Sequence, residues 1–273
     1  MSLFTAIKKK TTLSAATNQI GKARKAQKGK AEQLYKSAYE GFEFVLSDNL
    51  MLADALYNWG FGLLNQAKTK EGQQAIELYE EAINKYSFCL TVEPYYLGAA
   101  VEGGVAYMDI ARIKGAAADD LLYHRAKACF KQAGTIQKGS GAFNFACLYS
   151  IENNHEACLA SLKEAKEYAH LPDEADILND PDMKNVIETP WFLEFMEGIK
   201  VEQAAIENAA AEKKKAKAEA KLRAGGATNV GKTESVKADE TPVVDVVSEK
   251  TDEPEPEIVP EKTDETVPEK KES

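Results

Sequence analysis

The feature that most restricts this chain is a repeat. Tyr35, Tyr79 and Tyr123 stand 44 residues apart, and so do Ala38, Ala82 and Ala126. Phe42, Tyr86 and Phe130 keep the same step, as do Val45, Cys89 and Ala133. Gly60 pairs with Gly104, and Ala67 with Ala111. Within each copy, small and aromatic residues alternate at intervals of three and four, the period of one helix face. A small residue lets a neighbouring helix come close, and the aromatic one turn later fills the gap beside it. Copies of such a unit bury their apolar faces by stacking on one another. No segment shows strand alternation, so the spacing predicts an all-α fold. Helix pairs are expected over 53–68 with 72–92, 97–113 with 118–137, and 141–152 with 155–169, after a lone helix over 24–47.

The segment "ADALYNWGFGLL" (53–64) sets Trp59 before Gly60, and "AINKYSFCLTVEP" (82–94) spaces Ala82, Tyr86, Cys89, Leu90 and Pro94. A further unit, 141–165, carries Asn144, Ala146, Tyr149, Cys158, Leu162 and Ala165. These patterns resemble the tetratricopeptide repeat, lengthened here from a period of about 34 to 44. The resemblance implies a right-handed superhelical stack of antiparallel helix pairs, with the first helix of each pair lining a concave groove. Carried over by position, that lining is Tyr57, Asn58, Phe61, Leu64, Asn65, Val101, Val105, Met108, Phe143, Asn144 and Cys147. None of these is Lys or Arg, so the family's charged clamp for a terminal carboxylate is not expected. An apolar groove suits an amphipathic helix or an extended apolar peptide. The stretch 176–196 resembles the closing segment of many bacterial proteins of this family. Asp180-Pro181 and Thr189-Pro190 each read as an N-cap followed by proline at the first helical position. Ile187, Trp191 and Phe195 then share one face of a capping helix. The repeat domain with its cap is expected over 31–196.

The ends of the chain differ in composition. Residues 1–30 hold eight Lys or Arg and no acid, and read as a basic, partly disordered arm. Residues 197–223 are strong helix formers with little to bury, so an exposed charged helix is expected there. Residues 224–273 hold fourteen acids, six Lys and five of the nine prolines, and read as a disordered acidic tail. No apolar run reaches the roughly 18 residues of a membrane helix. Four cysteines without a C-x-x-C pair fit a reducing cytoplasm better than a disulfide framework. The acid-free start also fits an organelle-targeting peptide. The arm offers a possible contact with anionic lipid or nucleic acid, with Leu3, Phe4 and Ile7 as a small apolar face.

The octapeptide "GATNVGKT" (226–233) satisfies the phosphate-loop pattern. Such a loop works between a buried strand and a helix N-terminus. The charged run before it and the acidic, proline-containing run after it supply neither, so Gly226, Gly231 and Lys232 read as linker. His124, His155 and His170 lack a second ligand at metal spacing. Cys89 and Cys158 occupy small-residue slots of the repeat. Asp48, Asp54, Asp109, Asp119 and Asp120 read as helix-end or exposed residues, with no forced carboxylate pair. No catalytic residue, metal site, cofactor or small-molecule substrate is therefore expected. The reading is a non-enzymatic adaptor or scaffold whose repeats hold a protein or peptide partner. The alternatives are an arm-led membrane or nucleic-acid protein and, last, a nucleotide binder.

Overall fold

The computed structural model describes residues 3–47 and 51–226 of the chain. The described residues hold helices and turns and no strand. The helices are α1 (Leu3–Ala23), α2 (Lys28–Leu46), α3 (Leu52–Ala67), α4 (Gly72–Val92), α5 (Leu97–Lys114), α6 (Leu121–Ile136), α7 (Ala142–Ile151), α8 (His155–Glu167), α9 (Glu174–Asn179) and α10 (Pro190–Gly226). The first eight pack as consecutive pairs, each against its neighbours in the chain. One compact unit runs to Ala211; of the second, only residues 212–226 are described, as the end of α10.

The repeat residues build the core. Ala38, Ala82 and Ala126 are each 0% exposed, and Phe42, Tyr86 and Phe130 no more than 1%. Tyr35, Tyr79, Tyr123, Val45, Cys89 and Ala133 are buried with them. Each large side chain taken out of water contributes about 1.5–3 kcal/mol. The glycines explain how the rings fit. A Cβ on Gly60 would stand 2.7 Å from Cε1 of Tyr86, and one on Gly104 would collide with the Phe130 ring. The ring of the second helix thus seats in a notch on the first, and in both units the offset is 26 residues.

Helix ends are set locally. Asp120 caps α6 by accepting the Leu122 N–H at 2.8 Å, and Asn154 caps α8 by accepting the Ala157 N–H at 3.2 Å. Gly115 follows α5 with φ +60°, the left-handed conformation that ends a helix.

Two regions differ from the sequence reading. Residues 3–23, expected as part of a loose arm, form α1 and pair with α2. Ala16, Ile20 and Ala23 are no more than 3% exposed and share a cluster with Tyr35, Ala38 and Phe42. The physical reason is that most of the lysines lie on the solvent face, while small side chains face α2. The helix over 24–47 is therefore the second member of a complete pair. Asp180-Pro181 does not open a helix. It opens a run of turns over 181–188, in which the Asp180 carboxylate accepts the Asp182 N–H at 2.9 Å. Thr189-Pro190 does precede a helix, with Pro190 the first residue of α10. The Thr189 hydroxyl, however, donates back to the Val186 carbonyl at 2.6 Å.

In α10, residues 201–217 are exposed. Beyond Gly226, the tail, the rest of the GATNVGKT octapeptide and Lys232 lie outside the described residues, as does Asp48. Among the described residues no helix is long and apolar enough to cross a membrane.

Candidate partner-binding face

The first helices of the pairs carry the residues assigned to the groove, and burial sorts them. Tyr57, Asn58, Phe61, Asn65, Val101, Val105, Phe143 and Asn144 are half-buried. Leu64, Met108 and Cys147 are at most 4% exposed, so these three are core side chains and not lining. Leu64 belongs to the cluster around Tyr79 and Tyr86, and Met108 and Cys147 to the cluster around Phe130 and Leu162. These first helices bury more than one stripe; the alternative that Leu64 and Val105 are core holds for Leu64, while Val105 is half-buried.

Tyr57 is the centre of an aromatic group. Its ring lies 6.2 Å from that of Phe61, 6.1 Å from Tyr86 and 4.9 Å from Tyr96, centroid to centroid. Gly98 makes the room, since a Cβ there would stand 2.7 Å from Cε2 of Tyr57. Tyr96 is fixed by donating its hydroxyl to Asp54 at 3.1 Å. The amides of Asn58 and Asn65 donate to the carbonyls of Asp54 and Phe61 one turn back, at 2.8 and 2.7 Å.

Charge enters this face through residues that the sequence reading passed over. Arg24 lies over the Phe61 ring, 5.5 Å from its centroid. Glu102 is half-buried, and burial pushes its carboxyl above the usual glutamate range, while Lys68 and Arg24 pull it back. The 44-residue step held the signal: Glu102 follows Asn58, and Lys68 follows Arg24, at that spacing.

Further along, Arg112 on α5 joins two acids. Its Nη1 is 2.5 Å from Asp109, and its Nε and Nη2 reach the two oxygens of Asp182 at 3.2 and 2.6 Å. Asp109, read from the sequence as a helix-end or exposed residue, is 9% exposed, and Asp182 is 8% exposed. A single arginine thus brings together two carboxylates that lie far apart in sequence. Partial burial lowers the Arg112 pKa, but the two acids together outweigh it and leave it raised. Asp180 sits beside the Cys147 thiol, with Sγ and Oδ2 3.9 Å apart. Asn185 donates to the Ser150 carbonyl at 3.1 Å. These contacts lay the closing segment against α5 and α7.

The thiols are packing groups. Burial pushes Cys89 and Cys158 up to about 12 and Cys147 well above the usual thiol value. Such thiols disfavour the nucleophilic thiolate. Among the described residues no group of three or more His, Cys, Asp or Glu could hold a metal ion. A cleft of about 650 Å³ lies between α8 and α10, lined by Leu159, Lys163, Trp191, Phe195 and Glu202 among others. A smaller one of about 480 Å³ lies between α1 and α2. Neither is lined by any of the residues assigned to the groove. Leu3, Phe4 and Ile7 are 79%, 77% and 56% exposed at the start of α1.

The chain matches no protein-family model, no curated protein and no solved structure.

Proposed function

We propose that this chain is a tetratricopeptide-type adaptor, a right-handed stack of lengthened helix pairs that holds a protein or peptide partner along its first helices. It performs no reaction of its own. The observation that carries this reading is the row of half-buried Tyr57, Phe61, Val101 and Val105 on two successive first helices, α3 and α5. Half-buried aromatic and branched side chains on a rigid scaffold supply contact area at a small ordering cost. The partner that suits them is an amphipathic helix or an extended apolar peptide.

The test is direct. Peptides are selected from a display library on the full chain, and their affinities are measured by fluorescence anisotropy. Phe61→Glu places a charge in the row and is expected to weaken binding by about tenfold or more. The thermal midpoint of the variant separates lost binding from lost fold. If peptides bind Phe61→Glu as tightly as the parent, the face is not the site.

A further inference from the structure

The 44-residue step that copies the core also copies a cation. Arg24, Lys68 and Arg112 stand one step apart, at the C-terminal ends of α1, α3 and α5. All three are exposed. The carbonyl end of a helix favours a positive charge there.

The chain itself occupies the rung on α5. Arg112 holds Asp109 of its own helix and still receives Asp182 in a two-pronged contact. The residue after Asp182, Met183, is 0% exposed and belongs to the same apolar cluster as Met108, which precedes Arg112 by one turn. The docked segment therefore offers an acid to the cation and an apolar side chain to the helix face beside it.

The earlier rungs have the same make. One step back, Lys68 is preceded by Leu64 and Phe61, where Arg112 has Met108 and Val105. Two steps back, Arg24 is preceded by Ile20 and lies over the Phe61 ring. Among the described residues neither Arg24 nor Lys68 is held in a salt bridge. Glu102 feels the charge of both but forms no salt bridge with either. Arg112, already paired with Asp109, still accepts Asp182, so an acid from the stack leaves a rung able to accept another.

We propose that Arg24 and Lys68 receive from a partner what Arg112 receives from this chain: a peptide segment in which an aspartate or glutamate is followed directly by an apolar residue. The acid pairs with the cations, and the apolar side chain lies against Phe61. The proposal rests on the adaptor reading and names the chemistry of its partner.

The probe is a fluorescent peptide of residues 177–189, ILNDPDMKNVIET, added to the full chain. Binding is expected, weakening with salt as charge pairing requires. Changing Asp182→Ala or Met183→Ser in the peptide is expected to weaken it by about tenfold. In the protein, Lys68→Glu and Arg24→Glu are expected to weaken it equally, with the thermal midpoint held, and Lys138→Glu on an outlying turn to leave it unchanged. Absence of binding overturns the proposal, and so does binding indifferent to Lys68→Glu and Arg24→Glu. In the second case, a loss on Phe61→Glu would leave the adaptor reading standing. A loss on none of the three would remove both.

Discussion

Replacing Gly104 by alanine adds one methyl group where the Phe130 ring already lies. The ring is fully buried and cannot swing into water. We expect Gly104→Ala to lower unfolding free energy by about 1–3 kcal/mol, read from urea melts. Gly21 is the contrast, since nothing lies within 4 Å of a Cβ placed there. Gly21→Ala in α1 is expected to stabilise by about 0.5–1 kcal/mol through helix propensity; a disordered arm would give no change. Glu102 yields a pH signature. Its folded-state pKa is raised, so between the ordinary glutamate value and the folded value the native state binds more protons than the unfolded one. Stability therefore falls as pH rises through that window, and the cost is fully present above the folded-state value. Glu102→Gln is expected to melt higher than the parent at pH 7, with the gap closing as the pH drops below the ordinary glutamate value. A gap that persists in acid would place its origin outside ionisation.

At the level of elements, α1 tests how far a sequence can be read. The step from Ala67 to Ala111 extends back to Ala23, and that from Gly60 to Gly104 back to Ala16; all are buried. Ile20, Leu64 and Met108 form a third such row. The pattern is legible, although eight basic residues and no acid in the first thirty suggest a solvated arm. Most of these charges lie on the outer face of α1 and say little about its inner stripe, although Lys9 is buried and donates to the Val45 carbonyl. In α2, α4 and α6 the aromatic members of the repeat made the core plain. The contact of Arg112 with Asp182 was not legible, because nothing local ties residues so distant in sequence. Of the positions assigned to a groove, eight are half-buried and three are core, because periodicity cannot set how wide a buried stripe will be. Deleting residues 1–26 is expected to expose Tyr35, Ala38 and Phe42. The truncated chain should lose midpoint and denaturant slope together, whereas removal of a loose arm would alter neither.

Among the described residues, most buried apolar side chains fall into three clusters: one around Phe42, one around Tyr86 and one around Phe130. The latter two share only partly buried neighbours such as Val105, Tyr107 and Leu122. Stacked units of this kind are held by intrinsic and nearest-neighbour terms. The two tryptophans report on different parts, Trp59 from α3 and Trp191 from α10. Leu162→Ala removes a fully buried side chain from the Phe130 cluster and is expected to cost about 2–5 kcal/mol. With single-tryptophan variants, the midpoint seen by Trp191 should drop further than that seen by Trp59. Equal shifts would indicate a single cooperative block.

The pairing of Gly60 with Tyr86, and of Gly104 with Phe130, fixes a distance along the chain. One residue gained or lost between 60 and 86 would slide the ring off its seat. The same change at the Pro94-Tyr95 junction between pairs leaves these two spacings untouched. Relatives of this chain should therefore keep a constant count within each hairpin and vary freely at the joints, so that ring-and-notch spacing, rather than residue identity, becomes the mark by which such chains can be recognised.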